Sequence, residues 1–206
     1  CTAWAPELSQ PSLTFTNSNK TAHRVGNVSC YPAAFARLAQ DSCAFHVRIA
    51  SSPMSQNWLT FGLAKQGFAL TNSDGMGRTA NSWGIAEERT SGGSIGGVYA
   101  CSKTSLCSLP RRLQEGDVLS AVVDAPAGWC EVCLNYSEFT HRFSIPRGSR
   151  EDYLFGMTFA SDLQVTVVSE SPTVSAAVLK PAASTVASRS KRRSTGLFMR
   201  LPHCFP

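Results

Sequence analysis

Cys130-Glu131-Val132-Cys133 places two thiols at a spacing that proteins use for chemistry. A redox CxxC opens a helix, whose dipole lowers the thiol pKa, and a zinc CxxC sits on a tight knuckle. Neither context is present in the flanking residues. Val118 to Asp124 is a nearly continuous run of strand-favouring residues, Ala125-Pro126-Ala127-Gly128 is a turn, and Trp129 to Asn135 resumes the strand pattern. Within a strand, positions 130 and 133 have opposite parity and point to opposite faces. The expectation is two separately packed thiols. Cys101 and Cys107 could complete a four-cysteine metal site with them only if a bulge turned one thiol around.

The remaining chemical residue types are dispersed. His23, His46, His141 and His203 have no HExxH or similar ligand spacing, and His46 and His141 fall on strand patterns, where a hydrogen-bonded structural imidazole is expected. No G-x-S-x-G elbow marks a nucleophilic serine. Glu87-Glu88 and Glu151-Asp152 read as solvated loop neighbours. Ser91 to Gly97, SGGSIGG, lacks the Lys-Ser/Thr pair and following helix of a phosphate loop and reads as a flexible connection. Trp58, Trp83 and Trp129 lie on or beside strands, with core packing as their expected role. These residues point away from catalysis, and no metal or cofactor is expected.

Charge and cysteine content narrow the setting. Residues 1–168 carry 13 Lys and Arg against 13 Asp and Glu, so the net charge of +5 comes from residues 169–206, where six basic residues face Glu170. A neutral domain argues against a nucleic-acid groove on it, while the basic tail suits an acidic partner. Eight cysteines in a chain long enough to form its own core read as free thiols in a reducing, intracellular setting, cytoplasmic or nuclear, in preference to a disulfide framework. Sequons at Asn19, Asn27 and Asn135 keep a secreted, glycosylated alternative open. No 18-residue apolar run is present, so no membrane partner is expected. Cys1 is read as opening a fragment or a processed chain.

The elements that must position these residues are strands. Gly116 to Phe143 forms a hairpin continuing into Phe139 to Ile145, whose Phe139, His141, Phe143 and Ile145 share one face; this meander organises the chain. In Cys43 to Ala50, Cys43, Phe45, Val47 and Ile49 face the core, and Ala44, His46, Arg48 and Ala50 face away. Further strands are expected at Leu13–Thr16, Thr21–Val25, Cys30–Phe35, Asn57–Lys65, Ser82–Ala86, Val98–Cys101, Tyr153–Phe159 and Gln164–Val168. Helix start and stop signals are missing. The chain is therefore expected to be all-β: an irregular lead-in over 1–12, a β-sandwich of two antiparallel sheets over 13–168, and an irregular, Ser/Ala-rich basic tail over 169–206.

Three motifs, in order, give the strand pattern a family likeness. They are Ser82-Trp83-Gly84; Leu113-Gln114-Glu115-Gly116-Asp117-Val118, leading into Val122-Val123-Asp124 and then Leu134-Asn135; and Phe155-Gly156-Met157-Thr158-Phe159. Over about residues 13–168 the chain resembles a SPRY/B30.2-type domain, with a Neuralized-type repeat as the nearest alternative. Tyr136 stands where that pattern has glycine after Asn135. The resemblance implies a bent β-sandwich that binds a protein or peptide through loops at one end, often as the substrate-recruiting or assembly part of a larger protein.

The candidate contacts follow from residue chemistry. The long polar loop Gly67 to Asn81 offers Asp74, Met76, Arg78 and Asn81, which combine charge, a flexible apolar side chain and turn glycines on a rigid scaffold. Lys191, Arg192 and Arg193 form the basic centre of the tail, with Ser194 beside them as a site where phosphate would cancel part of the charge. The first functional expectation is a non-catalytic interaction module. Two others remain open: a structural subunit of a large assembly anchored by the tail, and an extracellular carbohydrate-binding sandwich.

Overall fold

In the strand Ser42–Ser51, Phe45, Val47 and Ile49 are buried while Ala44, His46, Arg48 and Ala50 are half-buried or exposed, the period-two pattern expected for a sheet with one face on the core. The computed structural model of the chain describes residues 3–24, 32–51, 59–67, 75–87, 96–101, 105–159 and 163–169. The strands among them are β1 (Leu13–Thr16), β2 (Thr21–Arg24), β3 (Ala33–Arg37), β4 (Ser42–Ser51), β5 (Leu59–Lys65), β6 (Ser82–Glu87) and β7 (Gly97–Ala100). They continue as β8 (Cys107–Ser108), β9 (Val118–Asp124), β10 (Trp129–Leu134), β11 (Phe139–Ser144), β12 (Tyr153–Phe159) and β13 (Gln164–Val167).

Two antiparallel sheets result: a seven-stranded one ordered β1-β2-β13-β4-β9-β10-β11 and a six-stranded one ordered β3-β12-β5-β6-β7-β8. This is the sandwich expected from the sequence. The β9-β10-β11 meander forms one flank of the larger sheet, with Cys130 opposite both Val123 and Phe143. Between the sheets, Phe45 stacks on Phe61 and Phe155 with ring centroids 6.4 and 5.4 Å apart.

Three findings go beyond the strand pattern. The lead-in is partly built into the domain: Trp4 is 3% exposed and packs edge-on against Phe45 at 5.0 Å. Ala5 and Gln10 donate backbone N–H groups to Phe35 and Ala33, and Phe35 N–H donates to Ser9 Oγ, which covers the outer edge of β3. Cys107–Ser108, outside the strands expected from the sequence, is a short strand paired with β7. β6 has all six residues buried, so both of its faces are covered.

Register sorts the connections into two ends. Arg48 pairs with Val118, Ser51 with Gln164, and Leu59 with both Glu87 and Phe159. At that first end lie the β8–β9 connection and the β10–β11 turn. At the second end lie the β3–β4, β5–β6, β9–β10 and β11–β12 connections.

Candidate partner-binding site

Residues 75–81 of the β5–β6 connection, which carry Met76, Arg78 and Asn81, lie over the outer face of the six-stranded sheet. Lys65 N–H donates to Asn81 O and Gln66 N–H to Asp152 O, which tie the base of the loop to both its own ends and the start of β12. Asn81 is exposed and holds a left-handed backbone at φ +64°, a conformation asparagine tolerates better than most residues. Arg78 is half-buried, its guanidinium 5.5 Å over the Tyr99 ring. Ser82 Oγ accepts from Gly77 N–H and donates to Thr79 O, fixing the turn between them.

Met76 is the surprise in this loop. Sequence chemistry offers it as a flexible apolar contact, but its side chain is fully buried with Ala33, Phe35 and Ala64, and Leu8 and Leu154 pack at the margin. It supports the loop from beneath while Arg78 and Asn81 are displayed above. Asp74 and the tail residues Lys191, Arg192 and Arg193 lie outside the described residues, as do Trp58, Glu88 and His203.

Neighbouring connections brace this end. Asp152 Oδ2 accepts from Ser149 N–H and Oγ in a capping box, and these bonds hold the Asp152 carboxyl below its ordinary range. Arg150 N–H donates to Asp41 Oδ1 and its guanidinium to Ala39 O, linking the β11–β12 and β3–β4 connections. Tyr153 OH donates to Pro146 O.

The first end contains a charge network centred on Arg111. Arg111 donates two bonds to Asp117, at 2.8 and 2.7 Å, and two to Glu138, at 2.7 and 2.9 Å. Asn135 Nδ2 bonds Asp117 and Glu138, both at 2.9 Å, while Asn135 Oδ1 accepts from Val118 N–H. Burial by itself would raise the Asp117 carboxyl, but bonds from Arg111, Asn135 and Gln114 N–H outweigh it and hold it low. These contacts give the Gly116-Asp117 and Asn135 motif positions a physical role: they close the β8–β9 connection onto the β10–β11 turn.

Glu87 differs from its sequence expectation for a related reason. It was read as solvated, yet it is 7% exposed and accepts Leu113 N–H at 2.7 Å. Burial raises its carboxyl above the ordinary range, against the pull of that hydrogen bond.

Tyr136 takes the place of the expected glycine and keeps the glycine-like geometry, with φ +64° after Asn135 at φ +47°. Its ring lies 5.6 Å from His46, whose Nδ1 is 2.7 Å from Ser120 Oγ. On the outer face of the seven-stranded sheet, burial lowers the pKa of the His46 imidazole.

The thiols behave as strand parity requires. Cys130 is fully buried in the main core, whereas Cys133 is 5% exposed and outside that core, with Sγ 4.0 Å from Glu131 Oε1. Burial pushes the Cys130 thiol well up and Cys133 up to about 12, so neither is a thiolate at neutral pH. Cys107 Sγ is 3.5 Å from His141 Nδ1. Among the described residues no group of three or more His, Cys, Asp or Glu could hold a metal ion, and the described cysteines are free. The four-cysteine alternative is therefore not formed by Cys101, Cys107, Cys130 and Cys133. Among the described residues no helix is long and apolar enough to cross a membrane.

Comparison with known proteins identifies the architecture. The SPRY domain of human HERC1 matches at a TM-score of 0.55 with 14% identity, over 80% of this chain and 96% of that one. The TRIM65 PSpry domain matches at 0.58 with 11% identity, over 82% and 89% of the two chains. A human SPRY domain matches at 0.53 with 11% identity, over 76% and 94%. No family model and no curated protein matches the sequence. The fold is SPRY-like, and the likeness at this identity is one of fold alone.

Proposed function

We propose that the domain is a non-catalytic protein- or peptide-binding module, whose selectivity resides in the loop carrying Asp74, Arg78 and Asn81. The observation that supports this most directly is how the loop is mounted. Met76 anchors it in a small apolar cluster, Ser82 and Thr60 fix its backbone, and Arg78 and Asn81 are left half-buried and exposed above. Residues 75–81, held in this way, meet a partner without a large ordering cost, and half-buried arginine over an aromatic ring suits a desolvated contact. The SPRY-like sandwich fits this reading as a rigid carrier for recognition loops. The basic tail residues Lys191, Arg192 and Arg193 are a second, electrostatic contact for an acidic partner.

Affinity capture with the full chain and with residues 1–168, read by mass spectrometry, separates the two contacts. A partner retained by the shorter chain and lost from the double variant Asp74→Ala/Arg78→Ala supports the loop. Retention by that variant with unchanged affinity counts against it. Loss of every partner on removing residues 169–206 makes the tail the functional element and the sandwich an assembly spacer.

A further inference from the structure

The outer face of the six-stranded sheet contains a glycine row. Gly156 pairs with Gly62, Gly62 with Gly84, and the row ends at Phe35 on one side and Tyr99 on the other. These pairs form a trough across three central strands, with aromatic side chains as its walls. Gly75-Met76-Gly77-Arg78 lies over it. A Cβ on Gly156 would run into Met76 Cε, and one on Gly77 would sit 2.8 Å from Tyr99 O.

What holds this segment differs from what holds the sheet beneath it. Met76 N–H donates to Thr60 Oγ1 at 2.8 Å and Gly77 N–H to Ser82 Oγ at 2.9 Å, so both of these attachments end on side-chain hydroxyls. Arg78 N–H turns back to Gly75 O within the segment. Its apolar anchor is the one side chain of Met76, in a cluster separate from the main core. The pairing of the strands below runs from strand to strand and involves no residue of the segment, and glycines on both sides of Met76 let it move with few torsional changes.

We propose that Gly75–Arg78 is a strap that opens as a local unit in the folded protein, uncovering the glycine trough while both sheets stay intact. The strap then gates the outer face of the six-stranded sheet. Arg78 belongs to both readings: the closed, hydrogen-bonded form is the one that presents it for binding, and the opening is an excursion from that form, which exchange reads without any partner.

Native-state amide hydrogen exchange on the full chain tests it, because the Met76 and Gly77 amides are hydrogen-bonded and buried and can exchange only through an opening. Their exchange is expected to be matched to one another, at least about 100-fold faster than that of Phe61 and Leu63 in central β5, and nearly independent of added denaturant. Met76→Ala should speed the Gly77 amide by a further factor of roughly ten, and Met76→Leu, which refills the notch, should restore it. Exchange of Met76 and Gly77 as slow as that of Phe61, with the same denaturant slope, would overturn the strap. So would unlike rates at the two amides, which would deny a single unit. The wild-type comparison decides the matter even where Met76→Ala fails to fold.

Discussion

Among the described residues the two outer faces of the sandwich are built differently: one lies under the segment around Met76, and the other carries larger polar side chains. On the central strands β5 and β6 of the six-stranded sheet the outward positions are small, Thr60, Gly62 and Ala64 on β5 and Ser82, Gly84 and Ala86 on β6, all buried, with Phe35 and Tyr99 flanking them. On the seven-stranded sheet they are larger and more polar, as with His46 and Arg48 on β4 and Thr140 and Arg142 on β11. There, Arg142 lies 4.1 Å over the Trp129 ring and bonds Glu131 at 3.0 Å, a contact that needs no covering segment. On the covered face Gly156 leaves room for Met76, whereas Gly62 and Gly84 let adjacent strands approach more closely than a Cβ would allow. An uncovered face tolerates volume and uses charge.

The sharpest way to break this contrast is to add volume on the covered face. Gly62→Ala places a Cβ against Trp83 O and the Gly84 Cα, backbone atoms that cannot step aside. It should cost about 3 kcal/mol or more, measured by chemical denaturation. Thr140→Val, on the uncovered face, should change stability by less than about 0.5 kcal/mol in the same assay. Equal losses at both positions would erase the distinction.

Next in size is the network that closes the β8–β9 connection onto the β10–β11 turn at the first end. Arg111→Met leaves Asp117, whose side chain is 7% exposed, without its ionic partner, and should cost about 2 kcal/mol, less than a fully buried pair because Arg111 is itself partly exposed. The sign of its pH dependence follows from the depressed Asp117 carboxyl. Stability from this group is present above its unfolded value near pH ~4 and is lost as pH falls through the lower folded value. Asp117→Asn should therefore flatten the stability profile below about pH 4, and an unchanged acid limb would show that the network does not carry it.

Tyr136 sharpens the account of the uncovered face. Tyr136→Ala loses the ring contact with His46 and keeps a left-handed non-glycine backbone, whereas Tyr136→Gly loses the contact and relieves the backbone. The glycine variant should be the more stable of the two by about 1 kcal/mol. The smallest effect expected is chemical. In the native protein at pH 8, Cys101, which is exposed, should react with a thiol reagent well before Cys130 and Cys133, and early labelling of position 133 would mean that the outer-face packing is looser than described.

Strand β4 was legible in the sequence because only one of its faces meets the core, so hydrophobicity alternates along it. The same is true of the β9-β10-β11 meander and of the opposite fates of Cys130 and Cys133, since parity alone separates residues three apart in a strand. Local turn chemistry placed Ala125–Gly128 between strands. The candidate loop was legible as a loop, and Arg78 and Asn81 as polar residues within it.

What the tertiary structure alone decided concerns groups whose environment comes from distant parts of the chain. Met76 reads as a mobile contact until the Gly156 notch, eighty residues away in sequence, receives it. Glu87 reads as solvated until Leu113 N–H and the β8–β9 connection close over it. Trp4 reads as lead-in until Phe45 provides a ring to pack on. Periodicity reports one neighbour per face and therefore carries the sheets, whereas burial of a loop, a carboxylate or a terminal tryptophan depends on which remote surface arrives above it.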